Sequence, residues 1–435
     1  MNNKQEFLNL NTNRITGADG GTAAGFSSPV IRSTTPAQRA GNLITNEPDL
    51  VCFSHLRWDF VYQRPQHLLS RAARTRRVFV VEEPIFDNGS MRLDINERND
   101  GVHVVVPHLP DGLSSEIARQ AVLRKMVDQL FSAHAITDFI IWYYTPMALE
   151  FTQHLKPLAT VYDCMDELSA FKGAPSTLHM QERQLFNRCD LVFTGGQSLY
   201  EAKRSQHKSV HAFPSSIDSA HFQRARTITN QPEDQRTIPH PRLGFFGVID
   251  ERFDIELLDK VASIRPDWQF VMIGPIEKID PATLPRHDNI HYLGAKDYQE
   301  LPAYLAGWDV ALLLFARNEA TRFISPTKTP EYLAAGKPVV STSIRDVVRP
   351  YAQQGLVTIA DSRDDFVKAV EGILRADESE RSEWLARVDA FLSGMSWDET
   401  WAGMAQLIER AIEARRSLLP QAVPSVNVKS AAAAG

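Results

Sequence analysis

Residues 325–341 read SPTKTPEYLAAGKPVVS, and this stretch decides the fold. Its first part has the composition of a helix, and Gly336 then leads into an apolar run at 338–341, which is typical of a helix followed by a buried strand. Short β-rich runs of this kind alternate with helical patterns along most of the chain. Because that alternation favours parallel strands joined by crossover helices, we predict an α/β protein.

The alternation occurs twice, on either side of the polar, proline-containing stretch ITNQPEDQRTIPHP. A chain of 435 residues is also long for a single core. We therefore predict two Rossmann-like parallel-sheet domains that face an interdomain cleft, where ligands bind at the carboxyl ends of the strands. The expected segments are a disordered N-terminus at 1–48, a first domain at 49–227, a linker at 228–241, a second domain at 242–395, a C-terminal helix at 396–418 that packs back on the first domain, and a disordered tail at 419–435.

The composition is that of an ordinary cytoplasmic enzyme. Hydrophobic residues make up 43% of the chain and the net charge is −6, so no basic field indicates nucleic-acid binding. Three cysteines, Cys52, Cys164 and Cys189, fit neither a disulfide framework nor a metal-ligand spacing. No apolar run approaches the ~18–20 residues of a membrane span. The sequence leaves peripheral contact with the inner face of the membrane open.

One run of basic residues is relevant to peripheral contact with the membrane. The arginines Arg71, Arg74, Arg76 and Arg77 lie within seven residues of one another. Such a run is either a solvated face or a surface for anionic lipid.

The start of the helix in the quoted stretch has the chemistry of an anion site. Ser325 can cap a helix and Pro326 suits its first position. The amides of a first turn lack internal partners and carry part of the helix dipole, so they bind phosphates. Lys328 adds a charge, and Glu331, one turn further on, can accept hydrogen bonds from the vicinal hydroxyls of a ribose. The alternative is a capped core helix in which Glu331 only complements the dipole.

Pro330 complicates this interpretation, because a proline inside a helix removes one backbone hydrogen bond. Either the helix is kinked at this residue, or it begins at Pro330 with Thr329 as its cap. In both cases Glu331 stays near the N-terminal end.

Candidate acid–base groups lie in the first half of the chain. Asp163 and Asp166 follow a predicted strand at Thr160–Tyr162, and either carboxylate could orient an acceptor hydroxyl or take up its proton. The alternative role for each is a helix cap. His55 ends a predicted strand that faces the cleft, although a loop histidine is also commonly just solvated. Since no Asp-x-Asp stands at a strand end and no histidine–cysteine cluster has ligand spacing, we expect no metal.

Several stretches, in this order along the chain, resemble the family-4-like (group 1) bacterial glycosyltransferases of the GT-B fold. The resemblance covers about residues 50–415 and is to a subgroup associated with cell-surface polysaccharides. The stretches are LVCFSHLRWDFVYQRPQHLLSRAA at 50–73, VYDCMDELSAF at 161–171, LVFTGGQSLYEAKR at 191–204, VHAFPSSIDSAHF at 210–222, LGFFGVIDERFDIELL at 243–258 and PEYLAAGKPVVST at 330–342.

The resemblance implies a hexosyltransferase-like enzyme whose donor substrate is a UDP- or GDP-linked sugar. It implies a saccharide or lipid-linked acceptor, retention of anomeric configuration, and no cofactor. Glu331 would hold the ribose, and Gly247 would let the backbone approach the ligand closely. Arg252 stands where the family usually has a phosphate-neutralising lysine, and arginine suits that contact. The residues implied at the diphosphate are Ser325, Pro326, Thr327 and Lys328.

The sequence departs from the family at two places. The family often has a glutamate eight positions before Glu331, and this chain has Phe323 there. The glycine pair after the first strand is also absent. Two other functions therefore stay open at this point, namely a sugar-nucleotide epimerase and a non-catalytic sugar-nucleotide-binding protein.

Overall fold

The computed structural model describes residues 30–34, 47–113 and 115–418. They form two sheets, one in each half of the chain. We call residues 30–34 and 47–216 with the last helix the N-lobe, and residues 217–227 and 242–395 the C-lobe. Ile217, Phe222 and Ala225 are buried in the core of the second half, so the first domain ends before the predicted boundary at residue 227. Adjacent residues of one N-lobe strand pack into different hydrophobic clusters on the two faces of the sheet, since Val51 lies in one cluster and Leu50 in another. Both faces of the sheet are thus covered by helices, as parallel sheets require.

The N-lobe sheet is parallel except where its fifth and sixth strands pair antiparallel. Its order is β1-β5-β6-β3-β2-β7-β8-β9-β10, with β4 beside β6. The strands are β1 Val30–Thr34, β2 Asp49–Ser54, β3 Val78–Glu82, β4 Ile85–Asp87, β5 Arg92–Glu97, β6 Val102–Pro110, β7 Phe139–Tyr143, β8 Ala159–Cys164, β9 Leu191–Thr194 and β10 Val210–Ala212.

The C-lobe sheet is parallel throughout, in the order β13-β12-β11-β14-β15-β16. This arrangement confirms the prediction of an α/β protein built on parallel sheets. The strands are β11 Arg242–Phe246, β12 Gln269–Ile273, β13 Ile290–Gly294, β14 Val310–Leu313, β15 Val339–Ser341 and β16 Val357–Ile359.

Helices connect most of these strands. They are α1 Arg64–Ala72, α2 Glu116–Ala133, α3 Leu149–Thr152, α4 Leu178–Phe186, α5 Gln197–Lys203, α6 Ser219–Gln223, α7 Glu233–Arg236, α8 Ile255–Ile264, α9 Leu301–Ala306, α10 Lys328–Ala334, α11 Arg345–Val348, α12 Arg363–Arg375, α13 Glu378–Leu392 and α14 Trp397–Leu418. Within the described ranges, no helix combines the length and apolarity that a bilayer crossing requires.

The N-terminal segment differs in part from the expectation of disorder. Residues 30–34 form the edge strand β1, which pairs with β5 and contains the β-branched residues Val30 and Ile31 that favour strands. The remainder of that prediction, residues 1–29 and 35–46, lies outside the described residues, and so does the predicted tail at 419–435.

The segment expected to be a linker is packed onto the C-lobe. It contains α7, and Gln235 within it is completely buried. The Gln235 side chain accepts a hydrogen bond from Trp308 Nε1 at 2.9 Å and donates one to the Tyr304 carbonyl at 2.9 Å. Polar residues in this stretch therefore make buried hydrogen bonds as well as contacts with solvent.

The last helix, α14, packs against the N-lobe sheet. Met404, Ile408 and Ile412 on this helix are buried in the same core cluster as Leu50. At its start, the Trp397 ring stacks on His67 with centroids 4.6 Å apart. The chain therefore returns from the C-lobe to the N-lobe near residue 396. This point is next to Ile217, where the chain first enters the C-lobe core, since the Trp397 amide donates to the Ile217 carbonyl at 3.4 Å.

The basic run in α1 and the loop after it is paired with carboxylates. Four arginines face three carboxylates, because Arg71 and Arg74 share Asp398, so the ion pairs compensate most but not all of the charge of this run. The pairs are Arg71–Asp398, Arg74–Asp398, Arg76–Glu47 and Arg77–Asp49, with N–O distances between 2.5 and 3.1 Å.

Candidate functional site

A cavity of about 420 Å³ lies between the lobes, at the carboxyl ends of strands from both sheets. The N-lobe contributes the loop 58–66 after β2 and the turn after β8. The C-lobe contributes the loops after β11, β12 and β13 and the start of α10. Parallel sheets bind their ligands at this edge, so the cavity is the candidate active site.

Gly247 forms part of the cavity wall directly after β11. Its φ angle is +136°, a conformation that side chains rarely adopt, and a Cβ atom at this position would collide with the Lys328 side chain. The residue must therefore be glycine. Because it is glycine, the Lys328 stem can cross over the backbone and place its ammonium group at the cavity.

The helix α10 begins at Lys328, with Thr327 in the N-cap position. Pro330 falls in the first turn, where its missing N–H would have no helical partner, so neither a kink nor a start at Pro330 is needed. Both of those expectations were wrong. Ser325 is not the cap, and its carbonyl instead accepts a hydrogen bond from Ser215 Oγ at 2.6 Å. Within the described part of the chain, the amides of Thr327 and Lys328 have no acceptor.

The predicted diphosphate residues are brought together by this geometry. The start of α10 and the Gly247 loop lie on one wall of the cavity. Their role at a diphosphate stays a prediction. The predicted residues on this wall are Gly247, Arg252, Ser325, Pro326, Thr327, Lys328 and Glu331.

Glu331 is only 5% exposed, yet it lines the cavity. Burial and, to a smaller extent, the nearby Asp218 raise its pKa to about 7, although Lys328 acts in the opposite direction. The carboxyl makes no hydrogen bond to the residues that the structure describes. It is therefore available to the hydroxyls of a ligand.

Arg252 also lines the cavity, but its guanidinium is held by Asp250. Nε lies 3.0 and 3.1 Å from the two carboxylate oxygens and Nη2 lies 2.6 Å from Oδ2. The guanidinium carbon is 5.5 Å from the centre of the Phe171 ring, which belongs to the N-lobe. Arg252 thus carries a partly compensated charge and also contacts the opposite lobe.

Asp166 lines the cavity from the N-lobe, two residues after β8. Burial raises its pKa to about 6, and the cations Arg252 and Arg64 limit that rise. A carboxylate with a pKa near neutrality in a cleft is suited to exchange protons with a substrate. Of the three predicted acid–base groups, Asp166 alone lines the cavity.

Asp163 and His55 do not line the cavity, so the structure does not support their prediction as catalytic groups. Asp163 is completely buried and accepts hydrogen bonds from Arg64 Nη2 at 2.9 Å and Nε at 3.0 Å. Arg64 also donates to the Phe213 carbonyl at 2.7 Å, so this pair fixes α1 against the sheet. Burial lowers the pKa of His55 to about 4, with a smaller effect of Lys278, which makes it a weak base.

Phe323 has a structural role in the contact between the lobes. Its side chain packs against the N-lobe hydrophobic cluster that contains Val51, and the residue does not line the cavity. A carboxylate at this partly buried position would lie against apolar side chains and would lose part of its hydration. The departure from the family at this position is therefore explained by contact between the lobes.

Further contacts join the lobes behind the cavity. The buried Asp346 carboxylate of the C-lobe accepts a hydrogen bond from the Ser198 amide at the start of α5, at 3.0 Å. Glu201 on the same helix pairs with Arg349 at 3.1 Å. A Cβ atom at Gly196 would collide with Asp346 Oδ2. These contacts hold the two walls of the cavity against each other.

Sequence reasoning missed the aromatic residues of the cavity. Tyr62 of the N-lobe loop stacks on Tyr298 of the C-lobe, with ring centroids 4.4 Å apart and planes 27° from parallel. Trp58 lines the same cavity. The alternation of aromatic residues in 58–62, WDFVY, was the available signal for the N-lobe side. No local pattern indicates that Tyr298 meets this loop.

No metal centre is formed by the described residues, since they contain no group of three or more histidine, cysteine, aspartate or glutamate side chains that could share an ion. The expectation that the reaction needs no metal stays a prediction.

Comparison with known proteins finds a sequence family that the C-lobe is similar to. Residues 240–376 match the model of the glycosyl transferases group 1. The chain is also 24% identical over 300 residues to the putative teichuronic acid biosynthesis glycosyltransferase TuaH of Bacillus subtilis (strain 168), covering 63% of this chain and 74% of that protein. These matches do not favour the epimerase and the non-catalytic binding protein.

Solved structures share the whole architecture. Sucrose-phosphate synthase from Thermosynechococcus elongatus is 16% identical, with a TM-score of 0.63 over 85% of this chain and 100% of that chain. Anabaena HepE, solved in complex with UDP and glucose, is 13% identical, with a TM-score of 0.59 over 83% of this chain and 100% of that chain. These likenesses show the fold, and the prediction of two Rossmann-like domains facing a cleft is confirmed.

Proposed function

We propose that this glycosyltransferase moves a sugar from a UDP- or GDP-linked donor to an acceptor hydroxyl. The match of residues 240–376 to the glycosyl transferases of group 1 and the GT-B fold support the proposal. One observation carries the proposal. The cavity between the lobes has Lys328 and Glu331 on its C-lobe wall and the carboxyl of Asp166 on its N-lobe wall.

The C-lobe wall would bind the donor. The unpaired amides at the start of α10 and the ammonium group of Lys328 suit the diphosphate, and Arg252 adds charge nearby. As the glycosidic bond breaks, negative charge develops on the departing diphosphate. Donors and cations that are already in place stabilise that charge without reorganising. We propose on this basis that side-chain cations supply the charge compensation that a metal supplies in other transferases.

The N-lobe wall would bind the acceptor. Asp166 is placed to accept the proton of the attacking hydroxyl, which becomes more nucleophilic as the proton leaves. Asp163 holds Arg64, and through it α1, in position beneath this wall. Retention of anomeric configuration is part of the proposal and rests on the family alone.

We place the reaction in the assembly of a surface polysaccharide or glycolipid, at the inner face of the membrane. The similarity to a putative teichuronic acid biosynthesis enzyme supports this placement. The acceptor would accordingly be a saccharide or a lipid-linked saccharide.

The proposal is tested by screening UDP- and GDP-sugars for thermal stabilisation of the purified protein. A ligand at 100 times its dissociation constant stabilises the folded state by about 2.7 kcal/mol, which raises the melting temperature measurably. We expect at least one nucleotide sugar to do so, and that donor to be consumed when an acceptor is added. A screen in which no nucleotide and no nucleotide sugar binds would contradict the proposal.

Replacing Glu331 by alanine is expected to weaken binding of the preferred nucleoside diphosphate tenfold or more, a loss of about 1.4 kcal/mol. The physical reason is the loss of the carboxylate that accepts hydrogen bonds from the ribose. Isothermal titration calorimetry measures the effect. The matched control is Glu319→Ala, since Glu319 is exposed and makes only a surface pair with Arg322. Equal affinity of Glu331→Ala and the native protein would remove Glu331 from the donor site.

A further inference from the structure

The hydroxyl of Tyr298 is a polar group without a partner. Tyr298 follows β13 and lines the cavity, and its hydroxyl oxygen is buried without a hydrogen bond to any residue that the structure describes. Buried polar groups in proteins are nearly always paired, so an orphan beside a cavity suggests that the partner is a ligand.

The ring of Tyr298 is held rigidly. It is sandwiched between Tyr62, at 4.4 Å, and His221, at 4.3 Å with planes only 7° from parallel. The edge of the ring contacts Phe222, and His221 Nε2 lies 3.0 Å from the Tyr298 carbonyl oxygen. Because two stacked rings and a backbone contact fix the residue, the hydroxyl is presented in one orientation and binding need not order it.

The Tyr298 hydroxyl can act together with the carboxyl of Glu331. Both residues line the cavity. The Tyr298 hydroxyl is buried without a partner, and no hydrogen bond to a described residue acts on the Glu331 carboxyl. Burial and the Glu331 carboxylate raise the pKa of Tyr298 above its ordinary value, so the phenol stays protonated and can donate. A neutral donor beside an acceptor carboxylate matches a diol, whose hydroxyls each donate and accept.

We propose that Tyr298 is a second ribose-reading residue, and that its hydroxyl pairs with the ribose diol that Glu331 also contacts. The inference rests on the proposed function, because it needs a nucleotide in the cavity. The Tyr298 hydroxyl would make the site selective for ribose. A ligand that lacks the ribose hydroxyl leaves the buried Tyr298 hydroxyl unpaired, and such a ligand binds more weakly. The enzyme should therefore discriminate ribonucleoside diphosphates from their 2′- or 3′-deoxy forms.

The decisive experiment is a thermodynamic cycle between Tyr298→Phe and deoxynucleotides. Calorimetry is used to measure the affinity of the native protein and of Tyr298→Phe for UDP, 2′-deoxy-UDP and 3′-deoxy-UDP, or for the GDP series if the native protein prefers guanine. We expect Tyr298→Phe to bind the ribonucleotide about five- to tenfold more weakly. For one deoxy form, the variant and the native protein should bind with nearly equal affinity.

The melting temperature of the ligand-free protein separates a ribose-binding role of Tyr298 from a structural role. Since the variant removes an unpaired buried hydroxyl, the ligand-free melting temperature of Tyr298→Phe should equal or exceed that of the native protein. The control is Tyr292→Phe, whose hydroxyl already donates to the Pro285 carbonyl at 3.2 Å and which does not line the cavity. Tyr292→Phe should leave all the affinities unchanged.

The outcomes distinguish failure of the ribose role of Tyr298 from failure of the proposed function. If the native protein binds UDP or GDP, and Tyr298→Phe weakens the ribo and both deoxy forms equally or not at all, the ribose role of Tyr298 is wrong and the donor site stands. A lower ligand-free melting temperature with unchanged selectivity would likewise assign Tyr298 a structural role. If the native protein binds no nucleoside diphosphate, the proposed function fails and this inference fails with it.

Discussion

Replacing Asp166 by asparagine is expected to lower the rate of sugar transfer by about 10²- to 10⁴-fold, the usual contribution of a positioned acid or base. The amide keeps the size of the side chain but cannot take up the proton of the acceptor hydroxyl. Affinity for the nucleoside diphosphate should change little, because Asp166 lies on the N-lobe wall, opposite Lys328 and Glu331.

The pH profile provides a second test of this role. A base must be ionised to act, and the pKa of Asp166 is raised to about 6. The native rate should therefore rise with pH through about 6 and then level off, and the Asp166→Asn variant should lack this rising limb.

Initial rates with a saturating donor, together with calorimetry of the diphosphate, separate the effect on chemistry from the effect on binding. The control is Asp111→Asn, an exposed N-lobe carboxylate outside the cavity. A fully active Asp166→Asn variant, or one that loses diphosphate affinity in proportion to rate, would show that Asp166 is not the base.

Replacing Lys203 by methionine is expected to destabilise the N-lobe by about 3–5 kcal/mol. Lys203 is buried, and its ammonium group lies 2.8 Å from Glu167 and 2.7 Å from Glu182. Removing the only cation of this group leaves two carboxylates close together and uncompensated. Glu167 is next to Asp166 in the chain, so loss of this support should also reduce transfer activity.

Urea denaturation followed by tryptophan fluorescence measures the change in the free energy of unfolding. The two lobes can unfold separately, so the shift is read from the transition assigned to the N-lobe. The matched control is Lys208→Met, which removes an exposed lysine and should shift stability by no more than about 0.5 kcal/mol. If Lys203→Met unfolds at the same urea concentration as the native protein, the ion group contributes no net stability.

The sequence alone predicted most of the secondary structure and the proposed donor side of the site. The strands predicted at Thr160–Tyr162 and 338–341 agree with β8 and β15 because an apolar run between turn residues is a local signal. Lys328 and Glu331 lie three residues apart at one helix start, so their common location follows from helix geometry. The strands at 85–97 were missed because their polar residues do not form apolar runs.

Only the tertiary structure decided the N-lobe side of the site. Asp163 and Asp166 are three residues apart and look equivalent in the sequence. Arg64, 99 residues from Asp163, binds Asp163 inside the core, while Asp166 reaches the cavity. Similarly, Tyr298 meets Tyr62 only because the lobes close on each other. Contacts of this kind depend on which distant side chains the fold brings together, and no local pattern in the chain encodes them.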